Sequence, residues 1–388
     1  MLKYLGVLVS DKGRFDDHIK ARRGAGIAVA SRIARLGSHG KSPLAPAVQG
    51  RFARAVLNPS LDFASAVVPH PGAARMGWYE SVQHRAACSI LGVSWSTASA
   101  MVRQELGMLS VAARHDSARL RFFIRLLHDP SSLAYHMLAA RRAVFLSVGR
   151  SGVAPGSFCA AMDVVLRRYN LAAWWSYVDD DAPPDAAVLR EMRAVARRAP
   201  AEAARKSDMD WVGEASHSSA TTYRSVRRPG TTYAAYLGDP QLRPSERRVR
   251  SLQTQLRLES GVVGLPKDRR DHVPAADRVC AVCGAHTAET PVHFLFECQA
   301  QELVANRDNH WNVRIPAAFA AVGPEGSRAW AERLQPQSAS AATERLRLAL
   351  GEWPPPRWSD SAAVTAGGRA AGRQFVGDMV TVRTLLVA

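Results

Sequence analysis

No apolar run in the chain approaches the roughly 20 residues needed to cross a bilayer; the first, Leu5 to Val9, stops at Ser10-Asp11-Lys12. That excludes a membrane-spanning helix and implies a soluble protein. Cysteine is scarce and odd in number, with Cys88, Cys159, Cys280, Cys283 and Cys298 in all. Three of the five crowd into one short segment, which is a metal pattern more than a disulfide framework and points to a reducing compartment. Acidic residues are in deficit as well, 34 Asp plus Glu against 51 Lys plus Arg, for a formal charge of +17 spread along most of the chain. Such a field attracts polyanions, so RNA or DNA leads the partner list and an anionic membrane surface follows. The bland account is a GC-rich genome, which enriches Arg and Ala. Internal repeats are missing too, and 388 residues suffice for two or three compact units.

What is present reads as mainly helical. Lys3 to Val9 is rich in β-formers and predicts one strand, followed by a turn at Ser10-Asp11-Lys12-Gly13. Asp16 to about Arg35 predicts a basic amphipathic helix, weakened by Gly24 and Gly26. Residues 43 to about 128 predict a run of helices with breaks at Asn58-Pro59, at Pro69-His70-Pro71-Gly72 and near Gly92 and Gly107. In the clearest, Ser110 to His128, Leu120, Phe123, Ile124 and Leu127 form an apolar stripe. Arg114, Arg121 and Arg125 share another face, either solvated or against phosphates. From Ser131 to about Arg243 periodicity weakens and a partly disordered connector is expected, with a short helix from Ala186 to Arg198. A helix begins at Pro244-Ser245-Glu246, with Val249, Leu252 and Leu256 inward and Arg247, Arg250 and Arg257 elsewhere. Helical pieces near Glu302 to Trp311, Ser327 to Leu334 and Ala342 to Leu350, a break at Pro354-Pro355-Pro356 and a short helix from about Arg373 close the chain.

Cys280-Ala281-Val282-Cys283, nine intervening residues, then His293-Phe294-Leu295-Phe296-Glu297-Cys298 carries the strongest chemical signal. Two residues between the first cysteines let both sulfurs turn onto one ion, and His293 with Cys298 completes a tetrahedral set of three thiolates and one imidazole. With four positions filled, the expected Zn2+ is structural rather than catalytic. Gly284 suits the sharp turn, and Phe294, Leu295 and Phe296 supply an apolar core for the module. A chance cluster of buried cysteines is the alternative, and His286 competes with His293 on spacing, although its setting reads as an exposed loop tip. Cys88 and Cys159 read as core residues.

These residues resemble the C-terminal zinc knuckle of LINE-type, non-LTR retrotransposon reverse transcriptases: Cys280-x2-Cys283, Glu289-Thr290-x2-His293-Phe294-Leu295-Phe296-Glu297-Cys298 and Arg307. Tyr233, Tyr236-Leu237 and the run from Glu246 through Leu256-Arg257 to Gly261 resemble the segment before that knuckle. Lys3-Tyr4-Leu5-Gly6-Val7 with Phe15 and His18-Ile19 resembles the strand and helix after the polymerase palm. Asn58-Pro59-x-Leu61-x-Phe63-Ala64, Gln83-x4-Cys88-x-Ile90-Leu91-Gly92 and Glu105-Leu106-Gly107 resemble the thumb and connector. In that family the catalytic aspartate pair precedes the Tyr-Leu-Gly strand, whereas Tyr177-Val178-Asp179-Asp180 follows it far downstream and runs into Pro183-Pro184, which cannot form the returning strand of a catalytic hairpin. An acidic turn or helix N-cap is expected there.

The resemblance implies a chain that starts inside the family's fold, as a truncated copy, a gene model begun at an internal methionine or a retained binding module. The fold class is therefore expected to be mainly α: a helical thumb- or connector-like region with one orphan N-terminal strand, a small CCHC zinc-knuckle module and short C-terminal helices. The expected divisions are 1–130, 131–243, 244–335 and 336–388. The expected function is a non-catalytic fragment that holds structural zinc through Cys280, Cys283, His293 and Cys298. It binds RNA or DNA with Arg247, Arg250, Arg257, Arg269 and Arg270, with Phe294 or Phe296 stacking on bases. The upstream polymerase domain is a further implied partner, residence is nuclear or cytoplasmic, and a zinc-module protein adaptor is the alternative.

Overall fold

A computed structural model of the chain describes residues 2–10, 15–38, 44, 46–68, 73–148, 157–180, 183–215, 218–227, 234, 237, 244–258, 260, 273, 279–287, 289–334, 341–350 and 362–387. The protein is mainly α-helical, as its periodicity predicts. The stretch read as a single strand is a short hairpin instead, β1 (Leu2–Tyr4) against β2 (Val7–Val9), antiparallel with Lys3 opposite Leu8. Leu5 and Gly6 both take positive φ, 46° and 83°, the signature of a tight hairpin turn whose twist matches the strands. Among the described residues this hairpin pairs with no other strand, so it remains an orphan within a helical protein.

The helices, in chain order, begin with α1 (Asp16–Ser38), α2 (Pro46–Phe52), α3 (Asn58–Asp62), α4 (Ala73–Leu91), α5 (Ser99–Leu106) and α6 (Val111–His128). They continue with α7 (Leu133–Val148), α8 (Phe158–Arg168), α9 (Ser176–Asp179), α10 (Ala186–Glu214), α11 (Ser218–Val226) and α12 (Pro244–Arg257). The last are α13 (Gln301–Asn309), α14 (Ile315–Ala320), α15 (Pro324–Arg333), α16 (Ala341–Ala349) and α17 (Ala362–Val387). The break expected at Asn58-Pro59 does not occur: a π-helical turn, Ala53–Leu57, links α2 to α3. The wider turn is where a helix accommodates a residue without an N–H.

The chain divides into two compact units, which cut across the expected boundaries: residues 1–33, 51–86 and 108–207 form one, and residues 34–50, 87–107 and 208–388 the other. In the first, α6 buries the predicted stripe of Leu120, Phe123, Ile124 and Leu127 against α7, α8 and α10. Ser110 caps α6 by accepting from the Ala113 N–H at 3.2 Å. Arg114, from the predicted arginine row, is pinned to Asp62 at 2.7 and 3.0 Å, whereas Arg121 and Arg125 are exposed.

Residues 131–243, expected to be a partly disordered connector, carry α7 to α11 among the described residues. The helix expected to end at Arg198 runs on through Pro200 to Glu214. Pro200 has no N–H to give the carbonyl four residues back, that of Ala196, and Ser117 Oγ donates to it instead at 2.9 Å. Asp185 caps this helix, accepting from the Ala187 and Val188 N–H groups at 2.8 Å each.

The second unit has one apolar core shared by α11, α12, the cysteine segment and α13 to α17. The short closing helix expected from Arg373 is 26 residues long. Gly372 lets this helix pack closely: a Cβ there would lie 2.2 Å from the Leu348 carbonyl oxygen of α16. Gly372→Ala is therefore expected to destabilise the protein by about 1–3 kcal/mol through overpacking, read as a lowered denaturant midpoint. An unchanged midpoint would contradict the close approach of α16 and α17.

Candidate metal centre

The site is built from two turns. In the first, Gly284 N–H donates to the Cys280 carbonyl at 2.9 Å and Cys280 N–H to Ala285 O at 3.0 Å, closing a loop that faces the two cysteine side chains inward. Gly284 adopts the left-handed conformation (φ 70°) that the sharp turn requires. In the second, Thr290 starts a helical turn, its Oγ1 accepting from His293 N–H at 3.1 Å and its carbonyl from Phe294 N–H at 2.9 Å.

The turn His293–Glu297 is π-helical and ends with Cys298 N–H donating to His293 O at 2.6 Å. This solves a problem in the spacing. Five residues along an α-helix carry a side chain about 140° round the axis, whereas the i to i+5 bond of a π turn returns it to the same side.

The donor atoms of Cys280, Cys283, His293 and Cys298 all lie within 4.8 Å of one another. His293 Nε2 stands 3.4 Å from Cys283 Sγ, close to the edge of about 3.5 Å expected for a sulfur and a nitrogen on one tetrahedral zinc. These four side chains can therefore hold a metal ion, as the sequence spacing predicts. Cys280, His293 and Cys298 are buried and Cys283 is half-buried, so the site opens at one corner. His286 is exposed, leaving His293 as the imidazole of the set.

Burial pushes the Cys280 thiol above its ordinary range and the Cys298 thiol up to about 12. At Cys283 burial acts in the same direction, but the Ala285 backbone amide and the His293, Cys280 and Cys298 side chains outweigh it and hold the thiol down at about 6. Three sulfurs so close together repel one another as thiolates, and a divalent cation is the species that relieves that repulsion.

Neighbouring groups fix the turns. Glu289, buried, is gripped by Arg383 of α17, and Arg307 Nη2 donates to the Cys298 carbonyl at 3.2 Å. His293 Nδ1 faces the Glu297 carboxylate at 4.0 Å. The Glu289 and Arg383 pair escaped the sequence reading because its members are 94 residues apart. The local signal that was available is Thr290-x2-His293, a capping pattern.

No family model, curated protein or solved structure matches the chain, so the resemblance to LINE-type reverse transcriptases stands on its motifs alone. Among the described residues no helix is long and apolar enough to cross a membrane.

The residues expected to bind nucleic acid fare differently from the metal ligands. Arg257 is wholly buried and paired with Glu105, and Arg250 is buried at 4% exposure, so neither presents its side chain to a phosphate backbone. The side chain of Arg247 and all of Arg269 and Arg270 lie outside what the structure describes. Phe294 is buried and Phe296 packs on Trp311 and Phe375, ring centroids 6.1 and 6.0 Å away, which removes both from base stacking. Cys88 and Cys159 are core residues, as expected, with thiols pushed up by burial to about 12 and about 11. Asp179 ends the short helix α9 and takes two hydrogen bonds from Arg142, at 2.9 and 2.8 Å, so it lies in no β-hairpin.

Proposed function

We propose that this chain is a zinc-stapled, nucleic-acid-binding segment without catalysis of its own, of the kind found at the C-terminus of LINE-type reverse transcriptase polyproteins. The observation that carries it is the gathering of three sulfurs and one imidazole within 4.8 Å of one another, a donor set that can fill all four positions of a zinc ion and so make the zinc a staple rather than a reaction centre. The excess of +17 supports a polyanionic partner. With Arg250 and Arg257 withdrawn into the core, the phosphate contacts fall to exposed arginines such as Arg190, Arg193 and Arg197, three and four residues apart on one side of α10.

Binding through phosphates releases counterions. Three such contacts predict about a 40-fold loss of affinity for a mixed-sequence DNA duplex, and about a 20-fold loss for a single strand, between about 50 and about 200 mM salt. An affinity indifferent to salt over that range defeats the proposal.

One observation favours an adaptor function instead. Leu133, Met137, Val144 and Val148 form an exposed apolar stripe along α7, Leu133 being 76% exposed. A pull-down that survives nuclease treatment would support the adaptor over nucleic-acid bridging.

A further inference from the structure

Resting on the zinc reading above, we propose that Arg383 is a positioning residue for the metal site, acting through Glu289. Arg383 lies near the end of α17 and grips both carboxylate oxygens of Glu289, through a short Nε contact to Oε1 and an Nη2 bond of 2.8 Å to Oε2. Glu289 is 1% exposed and the Arg383 side chain 16%, so the pair is shielded from the screening that weakens surface ion pairs.

Its position along the chain matters more than its strength. Glu289 immediately precedes Thr290, whose carbonyl and hydroxyl start the turn that delivers His293. A carboxylate fixed in two directions by a guanidinium fixes the backbone that follows it, and therefore the direction from which the imidazole reaches the metal. Charge adds to the effect: three thiolates around a divalent ion leave the site one negative charge in excess, and Glu289 contributes another. Arg383 offsets that excess. The alternative is that the pair only fastens α17 to the loop, with no influence on the ligands.

The test uses the full chain loaded with zinc, release to an excess of chromogenic chelator, and the absorption spectrum of the cobalt-substituted protein. Wild type is expected to bind one zinc per chain, and Arg383→Gln to release it about 10–100-fold faster with altered ligand-field bands. Arg383→Lys should recover part of the loss, since an ammonium reaches one carboxylate oxygen where the guanidinium reaches two. Failure of wild type to take up zinc sinks the zinc reading and this proposal with it. A wild type that holds zinc, with Arg383→Gln releasing it equally slowly and with unchanged cobalt bands, overturns the positioning role alone. Should Arg383→Gln lose its helical circular dichroism, Glu289→Gln decides: the same acceleration is expected, and an unchanged rate refutes the proposal.

Discussion

Stripping the metal from the full chain with a chelator is expected to collapse amide-exchange protection across residues 290–334, 341–350 and 362–387 while α6 and α8 keep theirs. Cys280 and Cys298 belong to the same apolar core as Phe294, Leu295, Trp311, Phe319 and Phe375, so the ligands are part of that core rather than an appendage to it. Structural zinc contributes an apparent 10–16 kcal/mol in small modules at neutral pH, about as much as the whole stability of an ordinary domain. Without the ion, sulfurs poised to share a cation lie within 4.8 Å of one another and of His293 inside a hydrophobic cluster. Cys298→Ser, which removes a ligand with little change of volume, should reproduce the effect of chelation. The core of α6, α7, α8 and α10 is built on separate residues, Leu120, Phe123, Met162 and Leu166 among them, and has no metal ligand in it. Protection unchanged in residues 290–334, 341–350 and 362–387 after the metal is gone would contradict the account.

The second large effect is expected at Arg257. Its Nη2 and Nε donate to Glu105 Oε1 at 2.6 and 3.1 Å, its Nη1 donates to the Leu350 carbonyl at 3.0 Å, and both members of the ion pair are wholly buried. Arg257→Met leaves the Glu105 carboxylate in the core without its counter-charge, and a loss of about 3–5 kcal/mol is expected from denaturant melts. Glu105→Leu combined with Arg257→Met should recover most of that loss, because no uncompensated charge remains. A single variant within about 1 kcal/mol of wild type would show that the pair is not the clamp its burial implies.

Arg257 also shows where the sequence could not be read. On the periodicity of α12, Val249, Leu252 and Leu256 face inward and the arginines face elsewhere, which ordinarily means water. Yet Gln253, Thr254, Arg250 and Arg257 are buried as well, so the helix is covered on more than one side. The group that makes burial of Arg257 tolerable, Glu105, lies 152 residues earlier and leaves no local signal. The same is true of α10, whose passage through Pro200 depends on Ser117, 79 residues from the carbonyl it satisfies. The early start of α17 left no local signal either, since the close approach to Leu348 that Gly372 permits is a property of another helix. The metal ligands were legible because their chemistry is local: two short spacings and one connecting loop suffice to bring four donors together, and the π turn needed for the five-residue step is itself local. The stripe of α6 was legible for a similar reason, its period matching the turn of the helix that carries it.

The most direct test of the account is the metal content and coordination of the purified full chain, by elemental analysis and X-ray absorption at the zinc edge. One zinc per chain is expected, with three sulfurs at about 2.3 Å and one nitrogen at about 2.0 Å. A protein that folds without zinc, or one whose zinc sits among oxygens, would contradict it.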